Sequence, residues 1–150
     1  MQKLSSYSQL YLRLALGAGY LTFGLDRLGV WGKYGSKGVS WGDWQHFMQY
    51  AASIMQFLPY SMAIVLAITA TIAEIAFGTM LLVGLYTRAA SIGSGILAFC
   101  FAVSMAISQG ITSPMAASVF TVSAASFLLA TVNKYRWGID SLLIKNKPSV

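Results

Sequence analysis

The sequence predicts an all-α membrane protein, an up-down bundle of four membrane-spanning helices with an amphipathic interfacial helix in the first loop. Three observations lead to this fold: the composition, four long apolar segments and the short connections between them. Of the 150 residues, 57% are hydrophobic and 9% are charged, whereas about a quarter are charged in an ordinary soluble domain. A chain this short has too little interior to bury so much apolar surface, so we expect the lipid bilayer to cover most of it.

Four apolar segments are long enough to cross a bilayer, which requires about 20 helical residues. We place these spans at residues 7–28, 59–86, 89–107 and 114–133. Arg13 interrupts the first segment, which we therefore interpret as a retained span and not as a cleaved signal peptide. The connections after the second and third spans are short, so consecutive spans are antiparallel neighbours in a single domain, 1–150.

The basic residues are distributed unequally between the two sides of the predicted bundle. The side with both termini carries seven of the ten: Lys3, Arg13, Arg88, Lys134, Arg136, Lys145 and Lys147. The opposite side carries Arg27, Lys33 and Lys37. The positive-inside rule therefore places both termini in the cytoplasm and the protein in the inner membrane as a multi-pass protein. We attribute the net charge of +6 to this topology and expect no nucleic-acid partner.

The long first loop contains an amphipathic helix, which we predict over residues 41–57. Ser40 is the predicted N-cap, with Asp43 three residues later in an arrangement close to a capping box. One face is apolar, with Trp44, Phe47, Met48, Ala51, Ile54, Met55 and Leu58, and the other carries Asp43, His46, Gln49, Ser53 and Gln56. Such a helix lies in the outer membrane interface, with Trp31, Trp41 and Trp44 at the level of the headgroups.

Small residues recur at spacings of three and four along the last three spans, and they predict the helix–helix contacts. In the second span the stripe consists of Ala63, Ala67, Ala70, Thr71, Glu74 and Gly78. In the third span it consists of Ala90, Ser91, Ser94, Gly95 and Ala98. In the fourth span it consists of Ala117, Thr121 and Ala125.

Glu74 is the one charge near the middle of the second span, and it lies on the small-residue stripe that faces the bundle. An ionised carboxylate at this depth costs several kcal/mol unless it is paired, hydrated or protonated. Two interpretations stay open: a polar clamp between helices, or a carboxylate that accepts a proton or orients a ligand. The candidate partners are Arg13 and the hydroxyl groups of Ser94, Ser118 and Thr121.

The chain contains one cysteine, Cys100, and one histidine, His46. One chain with this inventory cannot build an intramolecular disulfide, a bis-histidine haem site, a four-cysteine cluster or a conventional zinc site. We therefore expect no metal site and no covalently bound cofactor. His46 is either a solvated residue on the polar face or a hydrogen-bond partner and proton exchanger for a ligand beneath the helix. In the second case Asp43, one turn earlier, orients its ring.

Several short motifs occur in the same order as in a known family of membrane proteins. In this sequence they are Arg13-x-x-x-Gly17, Gly24-x-x-Arg27-Leu28, Glu74-x-x-x-Gly78, Gly84-x-x-Thr87-Arg88 and the closing run Arg136-Trp137-Gly138-Ile139-Asp140. Together they resemble the DoxX family over nearly the whole chain. The closing run departs from the family pattern, with Tyr135 where glycine is usual and Gly138 where serine is usual.

The resemblance implies a role in sulfur or thiol redox metabolism, because the family includes the DoxD-type subunit of thiosulfate:quinone oxidoreductase. It places Arg13, Arg27, Glu74 and Arg88 at motif positions. Arg88 and Arg136 serve equally well as topology anchors at the cytoplasmic headgroups. If the chain takes part in redox chemistry, the electrons are carried by something that it binds.

The first of three functional hypotheses is a membrane oxidoreductase subunit that binds a quinone near the outer interface, packed against the predicted helix. We assign catalysis to Glu74 or His46, as the proton donor or acceptor, and to Arg13, which shares with Arg27 the role of holding an anionic donor or balancing Glu74. The residues assigned to ligand binding are Arg27, Arg88, Trp41, Trp44 and Asp43.

The second hypothesis is a non-enzymatic membrane scaffold that assembles with a membrane or periplasmic partner subunit or with further copies of itself. The third is a transporter or channel. It is the least favoured, because one intramembrane carboxylate and no internal repeat are unlike the paired, broken spans of transporters.

Overall fold

The computed structural model describes residues 2–145, which form seven α-helices and no strand, so the predicted all-α fold is confirmed. The helices are α1 Gln2–Asp26, α2 Trp44–Ile54, α3 Tyr60–Val83, α4 Thr87–Gln109, α5 Thr112–Ala116, α6 Val119–Ala130 and α7 Ile139–Lys145. Helix α1 packs along α3, α4 packs along α6, and a tight turn joins α3 to α4. Helices α1 and α6 also touch, which closes the ring of the predicted bundle.

Within the described residues, α3 and α4 are the two helices long and apolar enough to cross a membrane by length and composition. Their most apolar 18-residue windows each have a mean hydropathy of 2.0, and 33% and 39% of these windows are buried inside the protein. Most of each helix therefore presents apolar side chains outward, as expected for a surface covered by lipid. Helix α6 is equally apolar in character but has only 12 residues.

The predicted fourth span, 114–133, is wrong as one continuous helix. The chain instead forms α5 and α6, because Ser118 adopts a left-handed conformation with φ of 57° that an α-helix cannot continue through. The helical register starts afresh at α6, so the predicted contact stripe is confirmed only at Ala125, which packs against the hydrophobic core, and is wrong at Ala117 and Thr121. Ala117 and Thr121 are exposed and Ala125 is half-buried, while the buried residues of α6 are Ser123, Ser126, Leu129 and Ala130.

The small-residue stripes predicted on the second and third spans are confirmed. Every predicted member is buried, on α3 and on α4 alike. The backbones of α1 and α3 approach each other closely where Gly17 meets Gly78. A Cβ atom added to either glycine would lie 3.0 Å from the carbonyl oxygen of the other, so the two backbones touch.

Helix α1 is staggered along α3 and ends about halfway along it. Gly17 lies opposite Gly78, Gly24 lies opposite Ile75, and Arg27, just beyond the last turn of α1, meets Thr71. The first 11 residues of α3 therefore extend about 16 Å beyond α1, at a rise of about 1.5 Å per residue. We call this the loop end of the bundle, and the opposite end, at the α3–α4 turn, the terminal end.

Helix α2 occupies the space that α1 leaves at the loop end, where it packs against α3 and α4. Its buried residues are those predicted for the apolar face: Phe47, Met48, Ala51 and Ile54. The helix is shorter than the predicted 41–57, and Ser40 is not its N-cap. The Ser40 N–H instead donates to the carboxylate of Asp26 at 3.0 Å, and the N-cap is Asp43, whose side chain accepts the His46 N–H at 2.8 Å.

Candidate functional site

A cavity of about 520 Å³ lies beneath α2, in the cleft between the α1–α3 pair and the α4–α6 pair. Its volume falls within the range of about 300–1,000 Å³ that is usual for small-molecule sites. The lining is mostly apolar and comes from α1, α2, α3, α4 and α6, with Ala117 from the break between α5 and α6. The polar side chains on its wall include Tyr20, Arg27, Tyr50 and Glu74. The early end of α1 and the late start of α6 leave this space open at the centre of the bundle.

Arg27 and Glu74 form a buried ion pair on the cavity wall. The Arg27 Nη2 and Glu74 Oε2 atoms are 2.7 Å apart, and the two side chains are 4% and 6% exposed. Arg27 Nη1 also donates to the hydroxyl of Thr71 at 2.9 Å. The candidate partners predicted for Glu74, namely Arg13, Ser94, Ser118 and Thr121, are therefore wrong. The partner is Arg27, which the sequence predicted as one of two arginines able to balance the charge of Glu74.

Aromatic side chains cover the Arg27 guanidinium group from the side of α2. Its central carbon lies 4.0 Å from the ring centroid of Phe47 and 5.3 Å from that of Trp41. A cation over an aromatic face is stabilised by about 0.5–2 kcal/mol, with the larger values at desolvated sites. Arg27 Nε is buried and has no hydrogen-bond partner among the described residues, so one donor of the guanidinium group stays unused.

Asp26 joins the end of α1 to the loop above the cavity, a role that was not predicted from the sequence. Its Oδ2 accepts the N–H groups of Ser40 and Trp41 at 3.0 and 2.8 Å, which holds Trp41 against the cavity. The residue is buried, as is Glu74, so two of the four acidic residues are buried. The one feature of the sequence that pointed to Asp26 was its position inside the Gly24-x-x-Arg27 motif.

Two tyrosines on the cavity wall were also missed. Tyr20 of α1 donates its hydroxyl to the carbonyl oxygen of Ser94 at 2.9 Å and lies 3.2 Å from the hydroxyl of Ser126, so it links three helices. Tyr50 lies on α2, where burial raises the pKa of its hydroxyl and the nearby Arg27 charge opposes that rise. A tyrosine in an apolar segment is a common core residue, so the sequence pattern alone did not distinguish these two.

His46 and Asp43 lie on the surface of α2, outside the cavity lining. The predicted contact between them is present, with His46 Nδ1 at 2.7 Å from Asp43 Oδ2. The imidazole ring also stacks on Tyr34, with centroids 3.8 Å apart. The His46 N–H bonded to the carboxylate lowers the pKa of Asp43. Trp44 packs against Phe47 with ring centroids 5.3 Å apart and likewise lies outside the lining.

Arg13 lies at the terminal end, away from the cavity, and is 1% exposed. Its Nη2 donates to the carbonyl oxygen of Trp137 at 2.6 Å and its Nη1 to that of Arg136 at 3.4 Å. The guanidinium group also packs against Gly84 and Gly138, where added Cβ atoms would lie 2.6 and 2.5 Å from Nη1. Arg13 therefore fastens the C-terminal segment to the start of the α3–α4 turn.

Asp140 completes the junction at the terminal end. Its carboxylate accepts the N–H groups of Tyr86 and Thr87 at 2.8 Å each, which caps the N-terminus of α4. Its own N–H donates to the carbonyl oxygen of Gly84 at 2.8 Å. Arg88 is exposed and borders a second, shallow cavity at this end, together with Asp140.

The motif positions thus form two clusters, one at the terminal end and one at the cavity. The sequence matches the DoxX family over residues 8–107, which is two thirds of the chain. The chain belongs to the DoxX family. This DoxX protein is a membrane protein, and its match contains Arg13, Arg27, Glu74 and Arg88. No curated protein and no solved structure matches the chain significantly.

Proposed function

We propose that this DoxX protein is a quinone-binding subunit of a membrane oxidoreductase, with the quinone ring held in the cavity beneath α2. One observation carries the proposal: the apolar wall of a ligand-sized cavity is interrupted by a buried ion pair, Arg27–Glu74. Buried charges inside a membrane-spanning bundle are costly and are typical of functional sites.

The chemistry of the wall suits a neutral ligand with carbonyl or hydroxyl oxygens. The Arg27 guanidinium group on the wall attracts a carbonyl oxygen by its positive charge, and the Glu74 carboxylate accepts a hydrogen bond from a hydroxyl group. Because the two charges balance each other, a charged head group gains no net electrostatic attraction here. Trp41, Phe47 and Tyr50 provide aromatic faces for a ring. Lipid-soluble quinones fit this wall, because they carry carbonyl oxygens on a flat ring and are otherwise apolar.

A bound quinone would supply two-electron redox chemistry, with electrons from a reduced sulfur donor delivered through a partner subunit. Glu74 is the carboxylate on the cavity wall and is assigned the exchange of protons at the ring oxygens. Helix α2 covers the ion pair and keeps bulk water from it. His46 and Arg13 lie outside the cavity, so we now assign them to holding α2 and the C-terminal segment in place.

The orientation follows from the basic residues. With both termini in the cytoplasm of a bacterial inner membrane, the loop end and α2 face the outer side. The cavity then lies within the outer half of the bilayer, where a quinone reaches it from the lipid. A periplasmic partner subunit would contact the loop at residues 29–58.

The test is quinone binding by the protein purified in a mild detergent. Mass spectrometry of its lipid extract should detect copurified quinone, and added ubiquinone or menaquinone should bind and quench tryptophan fluorescence. Arg27→Met combined with Glu74→Leu, which leaves no lone buried charge, should weaken this binding at least about tenfold, as expected when one charge-assisted hydrogen bond is lost. Arg88→Met is the matched control, since Arg88 is exposed and outside this cavity. Absence of quinone binding, or equal binding by both variants, would contradict the proposal.

A membrane scaffold remains the second candidate, because α6 and the break before it expose small residues to the surroundings. Ala117 at the break and Thr121 and Ala124 on α6 are all exposed. Small exposed residues permit close packing of another membrane helix. If this surface binds a partner, Thr121→Phe should dissociate a complex that the double variant Arg27→Met with Glu74→Leu leaves intact, as judged by the mass of the protein in nanodiscs.

A further inference from the structure

The side of the cavity between α1 and α6 is lined by small and apolar residues. Ala15, Gly19 and Phe23 lie four residues apart on one face of α1 and all line the cavity. Val119 and Val122 line it from α6. We call this surface the α1–α6 seam. Ala15 and Phe23 are exposed, so the seam borders both the cavity and the surroundings.

The space beside Gly19 is open. A Cβ atom added to Gly19 would meet no described atom within 4 Å. The glycines on the α3-facing side of α1 differ sharply: a Cβ on Gly17 would lie 2.9 Å from Leu82 Cγ, and one on Gly24 would lie 2.8 Å from Ile75 Cγ1. Helix α1 therefore packs tightly against α3 and leaves a gap on the side that faces α6.

The break before α6 explains why this gap exists. Because Ser118 ends the helical path, α6 begins at Val119 and touches α1 mainly through Tyr20 and Ser126 and through the core cluster of Leu16 and Leu129. This contact between α1 and α6 is much smaller than the contact of α1 with α3 or of α6 with α4. The resulting opening is lateral, in the wall of the bundle, and its lining provides no ion pair.

We propose that the α1–α6 seam is a lateral portal through which a lipid-tailed quinone enters from the bilayer, and in which its hydrocarbon tail stays while the ring occupies the cavity. This inference rests on the proposed function. A cavity of about 520 Å³ accommodates a ring but not a long isoprenoid tail as well, so the tail must leave it. The seam is apolar and opens where lipid chains surround the protein. An alkyl tail therefore remains among apolar groups along the whole path.

The test fills the portal without disturbing the fold. Gly19→Phe places a ring in open space, and phenylalanine has a higher helix propensity than glycine. Ala18→Phe is the matched control, because Ala18 is exposed on α1 but does not line the cavity. The probes are ubiquinone with an isoprenoid tail and the same benzoquinone ring without a tail. Circular dichroism and gel filtration check that both variants fold.

Gly19→Phe should weaken binding of the tailed quinone at least about tenfold, since excluding two methylene groups from an apolar site already has this effect. Binding of the tailless ring should change less than about twofold, and Ala18→Phe should bind both probes like the original chain. Equal affinity of Gly19→Phe and Ala18→Phe for the tailed quinone would overturn the portal. So would equal losses for both probes, or a loss caused instead by Thr69→Phe on the α3 side of the cavity. Failure of the original chain to bind either ring would refute the proposed function, and the portal with it.

Discussion

The buried Arg27–Glu74 pair predicts that each residue is needed for stability only while the other is present. We consider Arg27→Met, Glu74→Leu and the double variant, because methionine and leucine keep much of the side-chain volume. Removing one partner of a buried ion pair leaves an uncompensated charge and costs about 3–5 kcal/mol. Replacing both partners with apolar residues of similar volume is often neutral or stabilising. The double variant should therefore be more stable than either single variant.

The two single variants differ in what remains around the residue that is left. In Glu74→Leu, the remaining Arg27 keeps the Thr71 hydroxyl at 2.9 Å and the Phe47 ring at 4.0 Å. In Arg27→Met, the remaining Glu74 keeps no ion-pair partner among the described residues. The lone Glu74 can still become neutral by taking up a proton, whereas the lone Arg27 stays charged. We therefore expect each single variant to cost about 3–5 kcal/mol, the range for a broken buried pair.

The assay is equilibrium unfolding in mixed micelles of detergent and denaturant, followed by circular dichroism and analysed as a double-mutant cycle. The control is Arg88→Met, which should change the free energy of unfolding by less than about 0.5 kcal/mol because Arg88 is exposed. If the two single effects add within about 0.5 kcal/mol in the double variant, the pair is not coupled and the reasoning is refuted.

Three further predictions concern the two ends of the bundle. Gly84→Ala should destabilise the protein by more than Gly35→Ala. Both glycines have a positive φ, so each substitution costs about 1–2 kcal/mol of backbone strain. At Gly84 the added Cβ would also lie 2.6 Å from the Cα atom of Gly138 in the C-terminal segment, whereas at Gly35 it would meet nothing within 4 Å. Thermal unfolding in detergent compares the two, and equal losses would exclude the contact. Asp140→Ala should lower the free energy of unfolding by about 0.5–2 kcal/mol, because it removes the cap of α4. The Tyr86 and Thr87 N–H groups, which donate to Asp140, should then exchange faster with solvent; unchanged exchange would show that the cap does not protect them. Because the folded-state pKa of Asp43 is lowered, its stabilisation of α2 is present at pH values above the ordinary aspartate pKa and is lost as the pH falls through the lowered value. The NMR shift of the His46 amide should follow this titration, and a shift that persists in Asp43→Asn would contradict the assignment.

The inward faces of α3 and α4, the two long apolar helices, could be predicted from the sequence. Small residues at helical spacing on α3 and α4 identified the buried side, and Glu74 lies on it. This worked because lipid provides no hydrophobic drive between helices, so close packing of small residues has to hold them together. The apolar face of α2 could be predicted from its helical periodicity, and four of the residues predicted on that face are buried.

The partner of Glu74 could not be predicted from distances to the predicted helix ends. Such counting treats the helices as level with one another, whereas α1 is staggered and ends opposite Thr71. A contact distant in sequence, between Gly17 and Gly78, sets this stagger. The break at Ser118 was equally hidden, because neither glycine nor proline stands at the point where the backbone becomes left-handed.

The two clusters of motif residues are mechanically connected through α1. At the terminal end, Arg13 is fixed at the level of Gly84, and 14 residues later Arg27 reaches the loop end, about 21 Å further at about 1.5 Å per residue. Along α3, the 13 residues from Gly84 back to Thr71 span about 20 Å, so Arg27 arrives level with its partners. A shift of one residue in α1 would rotate Arg27 by about 100° and turn it away from Glu74. The packing residues at one end therefore determine whether the ion pair at the cavity forms, even though they do not touch it.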